Sequence, residues 1–299
     1  LTQSGTELLY VYSEGYLYSY NPVTKEVKNL GFTVSSSEGC LICANKKLYI
    51  VNVKEYFVYN GSSISTVSGY VPVLCTNTKP DLSNYKMKEP PNALTNIMNI
   101  EYTGDGESNV YRLPYTYLAS ISAIKVNGGG VPTSAYTTNL TAGTITFLTA
   151  PPSNSLVEVK FVLNKYFNRS LVYGCTKGMY FGSSDKQDLF LWGNSSDPSL
   201  RINTFASNPE YFPYESAINI GSGAYAITDI VSHGDKQIIF TTHDIHYSQT
   251  KQKQFMPYYP VYQLNGFKGN KVKKGVQNIN NELLFISDGV WTICETNVH

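Results

Sequence analysis

Five cysteines and four histidines are the side chains in this sequence best suited to hold a metal or attack a substrate. Cys40 and Cys43 form a Cys-x-x-Cys pair, a spacing used by thiol redox and zinc sites. The run around them reads as a strand, where residues three apart point to opposite faces, so they are expected as separate strand cysteines. Cys75, Cys175 and Cys294 are scattered; the odd count fits a reducing compartment better than a disulfide framework. His243 and His246 bracket Asp244-Ile245 in a stretch that reads as strand or turn. Metal-binding pairs favour one helix face, so exposed or hydrogen-bonded turn histidines are expected there, and likewise at His233-Gly234-Asp235. His299 ends the chain.

The carboxylates give no firmer lead. Asp185 and Asp188 flank a polar turn, Asp197-Pro198 opens another, and Glu210 and Glu215 bracket an aromatic patch. Cleaving a glycosidic bond needs two carboxyl groups about 5–9.5 Å apart across a cleft, and the sequence singles out no such pair. It has no phosphate-cradling P-loop, no Gly-x-Ser-x-Gly elbow and no dinucleotide fingerprint. Gly128-Gly129-Gly130 lies between two strand patterns and reads as a hairpin turn. The expectation is a chain that is not an enzyme, with no catalytic residues, no cofactor and no metal.

Binding residues are easier to nominate. Lys268, Lys271, Lys273 and Lys274 form a basic cluster that could face DNA phosphates. Tyr211, Phe212, Tyr214, Tyr258 and Tyr259 could supply interface or ligand contacts, because aromatic rings combine a large apolar area with a polar tip. Tyr262 and Trp192 could join them in stacking on sugars.

The elements that must position these residues are strands. The chain of 299 residues carries 25 tyrosines, and only 15% of its residues are charged, against a usual ~25%. Tyr with abundant Gly, Asn, Ser and Thr favours strands and turns. No segment keeps helical periodicity between caps. A net charge of +1 provides no overall field to attract nucleic acid or an anionic membrane, and no run approaches the ~18 apolar residues of a membrane-spanning helix. The chain starts at Leu1 within polar sequence and reads as a fragment of a longer product.

Two stretches repeat one layout: strands at 8–12 and 16–20 around Ser13-Glu14-Gly15, then strands at 40–44 and 48–53 around Asn45-Lys46-Lys47. Each continues through a polar turn into a further strand, and Leu17 and Leu48 are equivalent positions. Related units follow at 171–182, at 227–248 with Ala226–231 opening the run, and at 276–294. About five units of short antiparallel strands at such periods point to propeller blades. Between the second and third units, strands at 98–102, 110–113, 121–126, 134–138, 144–148 and 156–163 are separated by Gly-, Asn- and Pro-rich turns. Six short strands can build a small sandwich. The expected fold is all-β: a β-propeller, incomplete in this chain, at 1–76 and 166–299, with an inserted β-sandwich-like domain at 77–165. Trp192 and Phe240 are expected to be buried in blades.

The stretch 190–248 carries a resemblance. It holds Leu189-Phe190-Leu191-Trp192-Gly193-Asn194, then Asn208-Pro209-Glu210-Tyr211-Phe212-Pro213, Ile220-Gly221, Ile227-Thr228-Asp229-Ile230, Ile238-Ile239-Phe240 and Ile245-His246-Tyr247, in that order. The order resembles that of a β-propeller virion protein of tailed bacteriophages and prophages. The inserted region, with Pro91-Asn92-Ala93-Leu94-Thr95, Tyr102-Thr103-Gly104-Asp105-Gly106, Val126-Asn127-Gly128, Thr144-Ile145-Thr146-Phe147 and Ala150-Pro151-Pro152, resembles the small β-domain those proteins carry. More loosely, the whole is similar to the tail nozzle of short-tailed phages. One departure stands out: Gln187-Asp188 occupy a place where such proteins often have Arg.

The resemblance implies a structural component of a phage tail or neck, found in the virion and made in the bacterial cytoplasm. It implies packing against other virion proteins, a homo-oligomeric ring and transient passage of DNA. Two alternatives stand beside it: a carbohydrate-binding propeller that reads host glycans through Tyr258, Tyr259 and Trp192, and, less favoured, a glycoside hydrolase.

Overall fold

A computed structural model describes the chain except for residues 1, 4–5, 34–37, 53, 165–167, 184–185, 254–255, 265–267, 273–274, 281 and 294–299. Among the described residues the protein is all-β, apart from a one-turn helix at Ser170–Tyr173 and two 3-10 turns. It divides into two compact units. One comprises Leu1–Val67, Ser170–Phe212 and Ser216–His299; the other comprises Ser68–Arg169 and Pro213–Glu215.

Among the described residues, the first unit carries five antiparallel meanders of three or four strands and two two-stranded ribbons, Thr2–Gln3 with Thr6–Glu7 and Lys251–Lys253 with Met256–Tyr258. The first sheet is Leu9–Ser13, Tyr16–Tyr20 and Val27–Thr33, and the second is Gly39–Ala44, Lys47–Asn52, Tyr56–Tyr59 and Ile64–Thr66. The third is Lys177–Ser183, Lys186–Trp192, Leu200–Asn203 and Ile218–Asn219. The fourth is Ile227–His233, Lys236–Thr241, Ile245–Gln249 and Val261–Leu264, and the fifth is Gln277–Ile279, Glu282–Ile286 and Val290–Ile293. Two-residue turns set the register. Glu14 and Gly15 both have positive φ, as do Asn45 and Lys46, which is the geometry whose twist matches the flanking strands.

Apolar residues tie each sheet to the next. Leu17 of the first sheet packs with Leu48, Ile50 and Tyr59 of the second. Tyr56 of the second sheet meets Phe212, beyond the third strand of the third sheet, edge to face at 6.1 Å. Trp192 and Met179 of the third share a cluster with Ile227, Ile230 and Ile239 of the fourth. The strand period then turns Ile238 and Phe240 to the other face, where they cluster with Leu283 and Phe285 of the fifth sheet. Trp192 and Phe240 are both buried, as expected.

Two local expectations are corrected. Residues 171–175 do not open the third sheet as a strand. Ser170–Tyr173 form the single helical turn, closed by the Gly174 amide donating to the Ser170 carbonyl and the Cys175 amide donating to the Val172 carbonyl. A short apolar run carries too few residues for its period to distinguish the two states. His233 lies at the end of a strand and is buried; only Gly234 and Asp235 form the turn.

The second unit packs two sheets around one core. A four-stranded sheet has the order Ile97–Thr103, Leu156–Leu163, Leu118–Val126, Gly129–Gly130; a three-stranded sheet has the order Val110–Arg112, Thr144–Phe147, Tyr136–Asn139. Alternation dictates the core: Met98, Ile100 and Tyr102 pair in register with Phe161, Val159 and Val157, all buried on one face. Tyr111 and Phe147 approach from the other sheet, with Tyr111 at 5.2 Å from Tyr102 and 5.1 Å from Phe147. The unit begins at Ser68 because the irregular segment ahead of its first strand is stitched onto it, with Val73 bridging to Asn99 and Thr78 to Tyr102.

Candidate functional site

The densest polar chemistry lies inside the first unit and centres on Arg201. The strand Leu200–Asn203 is buried along its whole length, and Arg201 is only 1% exposed. Its Nη1 donates to Gln237 Oε1 at 2.8 Å and its Nη2 to the Tyr259 carbonyl at 2.9 Å. The Phe190 ring lies under the guanidinium, 5.0 Å from Cζ, a cation–π arrangement. Tyr259 then turns its hydroxyl to the other charge, donating to Asp188 Oδ2 at 2.8 Å. Asp188 Oδ1 accepts from the Ser207 amide at 2.9 Å and the Thr204 hydroxyl at 3.2 Å. One tyrosine thus joins a buried cation to a buried anion through its two ends.

The acidities follow from that burial. Desolvation pulls the Arg201 guanidinium down to about 9, so it remains a cation at neutral pH. Desolvation raises the Asp188 carboxyl, against its hydrogen bonds from Ser207, Tyr259 and Thr204, which lower it. Burial also pushes the Tyr259 hydroxyl well up, reinforced by the Asp188 charge, so it stays a donor. Placing opposite charges in one hydrogen-bonded chain limits the cost of burying either alone. Asp188 is 4% exposed with both oxygens occupied, an arrangement suited to clamping strands rather than to transferring protons. The sequence placed Asp188 beside a polar turn; it lies within the strand Lys186–Trp192, and Asp185 lies outside the described residues.

The aromatic patch after this strand is also internal. Tyr211 and Phe212 are buried, at 2% and 0% exposure, so they present no surface to a partner or ligand. The Phe205 amide takes the Tyr211 carbonyl and their rings meet at 5.1 Å. The Tyr56 hydroxyl donates to the Pro209 carbonyl at 2.8 Å, and Glu210 accepts from Tyr49 at 3.0 Å with Lys47 Nζ 3.5 Å away. The Asn-Pro-Glu stretch is therefore fastened to the second sheet, which commits Glu210 to that anchor. Tyr214 is 49% exposed and Glu215 is exposed; both count with the second unit, where the Tyr214 amide donates to the Pro91 carbonyl.

Tyr259, nominated for binding, is buried by its bond to Asp188, whereas Tyr258 beside it is exposed. Tyr258 ends the short strand Met256–Tyr258, and Tyr259 lies just beyond it. Tyr262 is exposed and stacks on Tyr247 at 5.2 Å. Trp192 is buried, so no sugar can stack on it. Of the basic cluster, Lys268 is exposed and paired with Asp288, Lys271 is exposed, and Lys273 and Lys274 lie outside the described residues. The bond from Lys268 is the leading cause that holds the Asp288 carboxyl below the usual carboxylate pKa range.

The metal-type residues do not converge. Cys40 and Cys43 sit opposite Val51 and Leu48 on neighbouring strand positions, and Cys43 alone is exposed. Burial pushes the Cys40 thiol up to about 12. His246 is buried rather than exposed, its Nε2 lying 2.9 Å from Asp244 Oδ1 without hydrogen-bond alignment. His243 stacks on Tyr225 at 4.4 Å. Cys294 and His299 lie outside the described residues. Among the described residues, no three His, Cys, Asp or Glu side chains gather as a metal site, and no helix is long and apolar enough to cross a membrane.

Arg201 and Gln237 escaped the sequence reading. A partial signal was present: Arg201 lies between Leu200 and Ile202, and Gln237 directly precedes Ile238-Ile239-Phe240. A long polar side chain at such a position needs an internal partner.

No family model matches the chain, and no curated protein matches it. Among solved structures it is similar to a crystal structure described as the extracellular domain of a one-component system of B. thetaiotaomicron, at 12% identity and a TM-score of 0.33. The match takes in 96% of this chain and 32% of the other, so the chain spans about a third of that protein's length. The likeness is too slight to bear on fold or function.

Proposed function

We propose that this protein is a structural component of a bacteriophage tail or neck, not an enzyme. In this reading the five meanders are propeller blades, and the second unit is a β-domain inserted between the second and third. The observation that carries the reading is what the ordered motifs of 190–248 do. Trp192 packs between sheets, Gly193 at φ +80° lets the chain leave the strand, and Asn208–Phe212 anchor a connector. These residues serve rigidity, as a scaffold requires and a catalytic loop does not. A propeller leaves short, protected edges and presents loops on two faces, and a Tyr-rich surface of low charge suits packing against other virion proteins around a path for DNA.

The carbohydrate reading keeps Tyr258 and Tyr262 as its exposed rings, having lost Trp192 and Tyr259 to the interior. The test is quantitative mass spectrometry of particles purified from a strain that carries the gene. The proposal expects this chain in fixed, multiple copies per particle. Particles that lack it would overturn the proposal.

A further inference from the structure

Three Asn-Gly pairs occur in the sequence, at Asn60, Asn127 and Asn265; the last lies outside the described residues. In such a pair the backbone nitrogen of the glycine can attack the asparagine Cγ and close a five-membered imide, because glycine places no Cβ beside that nitrogen. The two described pairs hold the carboxamide in opposite ways. At Asn60 it folds forward over its own chain. Its Oδ1 accepts from the Ser62 amide at 3.0 Å, the Ser63 amide at 2.9 Å and the Ser62 hydroxyl at 2.9 Å, which is an Asx-turn. The peptide bond from Asn60 to Gly61 lies inside the ring closed by the first of these bonds, so Cγ is held on the side of the Gly61 nitrogen. Nδ2, the group that must leave, donates to Ser63 Oγ at 3.2 Å. The Tyr59 hydroxyl donates to the Gly61 carbonyl at 2.8 Å and fixes the far side of that residue, whose φ is +98°.

At Asn127 the carboxamide is drawn away. Its Oδ1 accepts from the Leu156 amide at 2.9 Å, and the Asn127 amide donates to the Leu156 carbonyl at 2.8 Å. Both bonds run across to the neighbouring strand, Leu156–Leu163, and they hold Oδ1 toward that strand rather than over Gly128. Asn60 and Asn127 are both exposed, so access of water does not separate them; the direction of the side chain does.

We infer that Asn60 is a self-modification site, at which the turn promotes loss of the side-chain amide, and that folding protects Asn127. The Gly61 nitrogen gives up its proton to solvent and bonds to Cγ. Negative charge gathers on Oδ1, where the two amides and the Ser62 hydroxyl act as an oxyanion hole. The bond from Cγ to Nδ2 then breaks, and Nδ2 leaves as ammonia, taking a proton from solvent. Water opens the imide at either carbonyl, leaving aspartate or isoaspartate; nothing is oxidised or reduced. Either product adds a negative charge at the turn, and isoaspartate lengthens the backbone there by a methylene. The turn joins Tyr56–Tyr59 to Ile64–Thr66, the edge strand of the second sheet, so that edge strand is what the modification loosens. The inference does not depend on the virion assignment.

Peptide mapping by mass spectrometry tests it on the purified full chain, aged at mildly alkaline pH in buffer and in urea. Electron-transfer fragmentation distinguishes isoaspartate from aspartate. In urea both turns are unfolded, and the two sites are expected to convert at similar rates. In the folded chain Asn60 is expected to convert at least about ten-fold faster than Asn127, and no more slowly than it does in urea. Ser62→Ala removes the hydroxyl donor and is expected to slow Asn60 several-fold in buffer, with Asn127 and both urea rates unchanged; Ser62→Thr keeps a hydroxyl and restores the rate. Far-ultraviolet circular dichroism checks that the strands persist in both variants. Folding that slows Asn60 as much as Asn127 overturns the inference. So do equal rates at the two sites in the folded chain, or a Ser62→Ala chain that converts at the native rate.

Discussion

Replacing Arg201 by alanine should destabilise the first unit severely. The change deletes two hydrogen bonds from a charged donor, worth about 1.5–3 kcal/mol each, and a cation–π contact worth about 0.5–2 kcal/mol. The guanidinium's own desolvation, several kcal/mol in its own right, offsets much of that sum. What decides the outcome is the residue left behind. Asp188 becomes a buried carboxylate with no cation in its network, and the Gln237 and Tyr259 carbonyl oxygens lose their donors. Leaving two buried acceptors without donors costs about 1–3 kcal/mol each, and that is the expected loss. Urea unfolding followed by tryptophan fluorescence reads it directly, because Trp192 lies opposite Arg201 in register and both tryptophans belong to the first unit. Arg201→Met with Asp188→Asn provides the control. With both charges gone, the double variant should recover at least about 1 kcal/mol relative to the sum of the single losses. A loss below about 1 kcal/mol for Arg201→Ala, or strict additivity in the double variant, would refute the clamp.

Three further outcomes follow from the same packing. Burial raises the pKa of the Asp188 carboxyl above its ordinary value of 3.8, so the folded chain holds more protons in the window above that value, and the stability this group contributes falls as pH rises through it. The stability of the native chain minus that of Asp188→Asn should therefore decline as pH rises above about 4, measured by urea titration; a rising difference would show the opposite shift. Trp192→Ala should cost about 3–5 kcal/mol in chemical denaturation, and a loss under about 1 kcal/mol would mean that the sheet junction does not depend on that ring. In the second unit, Gly143 has φ +65°, and an added Cβ would sit 2.0 Å from the Tyr115 carbonyl oxygen; Gly143→Ala should cost about 2 kcal/mol or more in calorimetry of that unit's transition, whereas an unchanged transition would contradict the geometry.

The strands were legible in the sequence wherever local chemistry sufficed. Glu14-Gly15, Asn45-Lys46 and Asn127-Gly128 each supply two adjacent positive-φ residues, so the turns announced themselves and the alternation on either side fixed the faces. Most strands of the second unit were readable for the same reason, except that Ser134 and Ala135 lie in a 3-10 turn ahead of Tyr136–Asn139 and Gly129–Gly130 form a short strand. The interior of the first unit was not, because its decisive contacts are remote in sequence. Tyr259 meets Asp188 across 71 residues, and Tyr56 meets Pro209 across 153. Nothing adjacent to Tyr211, Phe212 or Tyr259 distinguishes a ring aimed at solvent from one aimed at a neighbouring sheet. The helical turn at Ser170–Tyr173 was missed because Leu-Val-Tyr is as apolar as a strand, and the turn is fixed from outside by the Asn194 side chain on the Ser170 carbonyl.

The proposed role is tested most directly by electron cryomicroscopy of purified particles from a strain that carries the gene. The account predicts density into which the five-sheet unit fits, repeated in several copies around the tail or neck axis. Particles with no density that accommodates the unit, and this chain recovered only from the particle-free lysate, would contradict it.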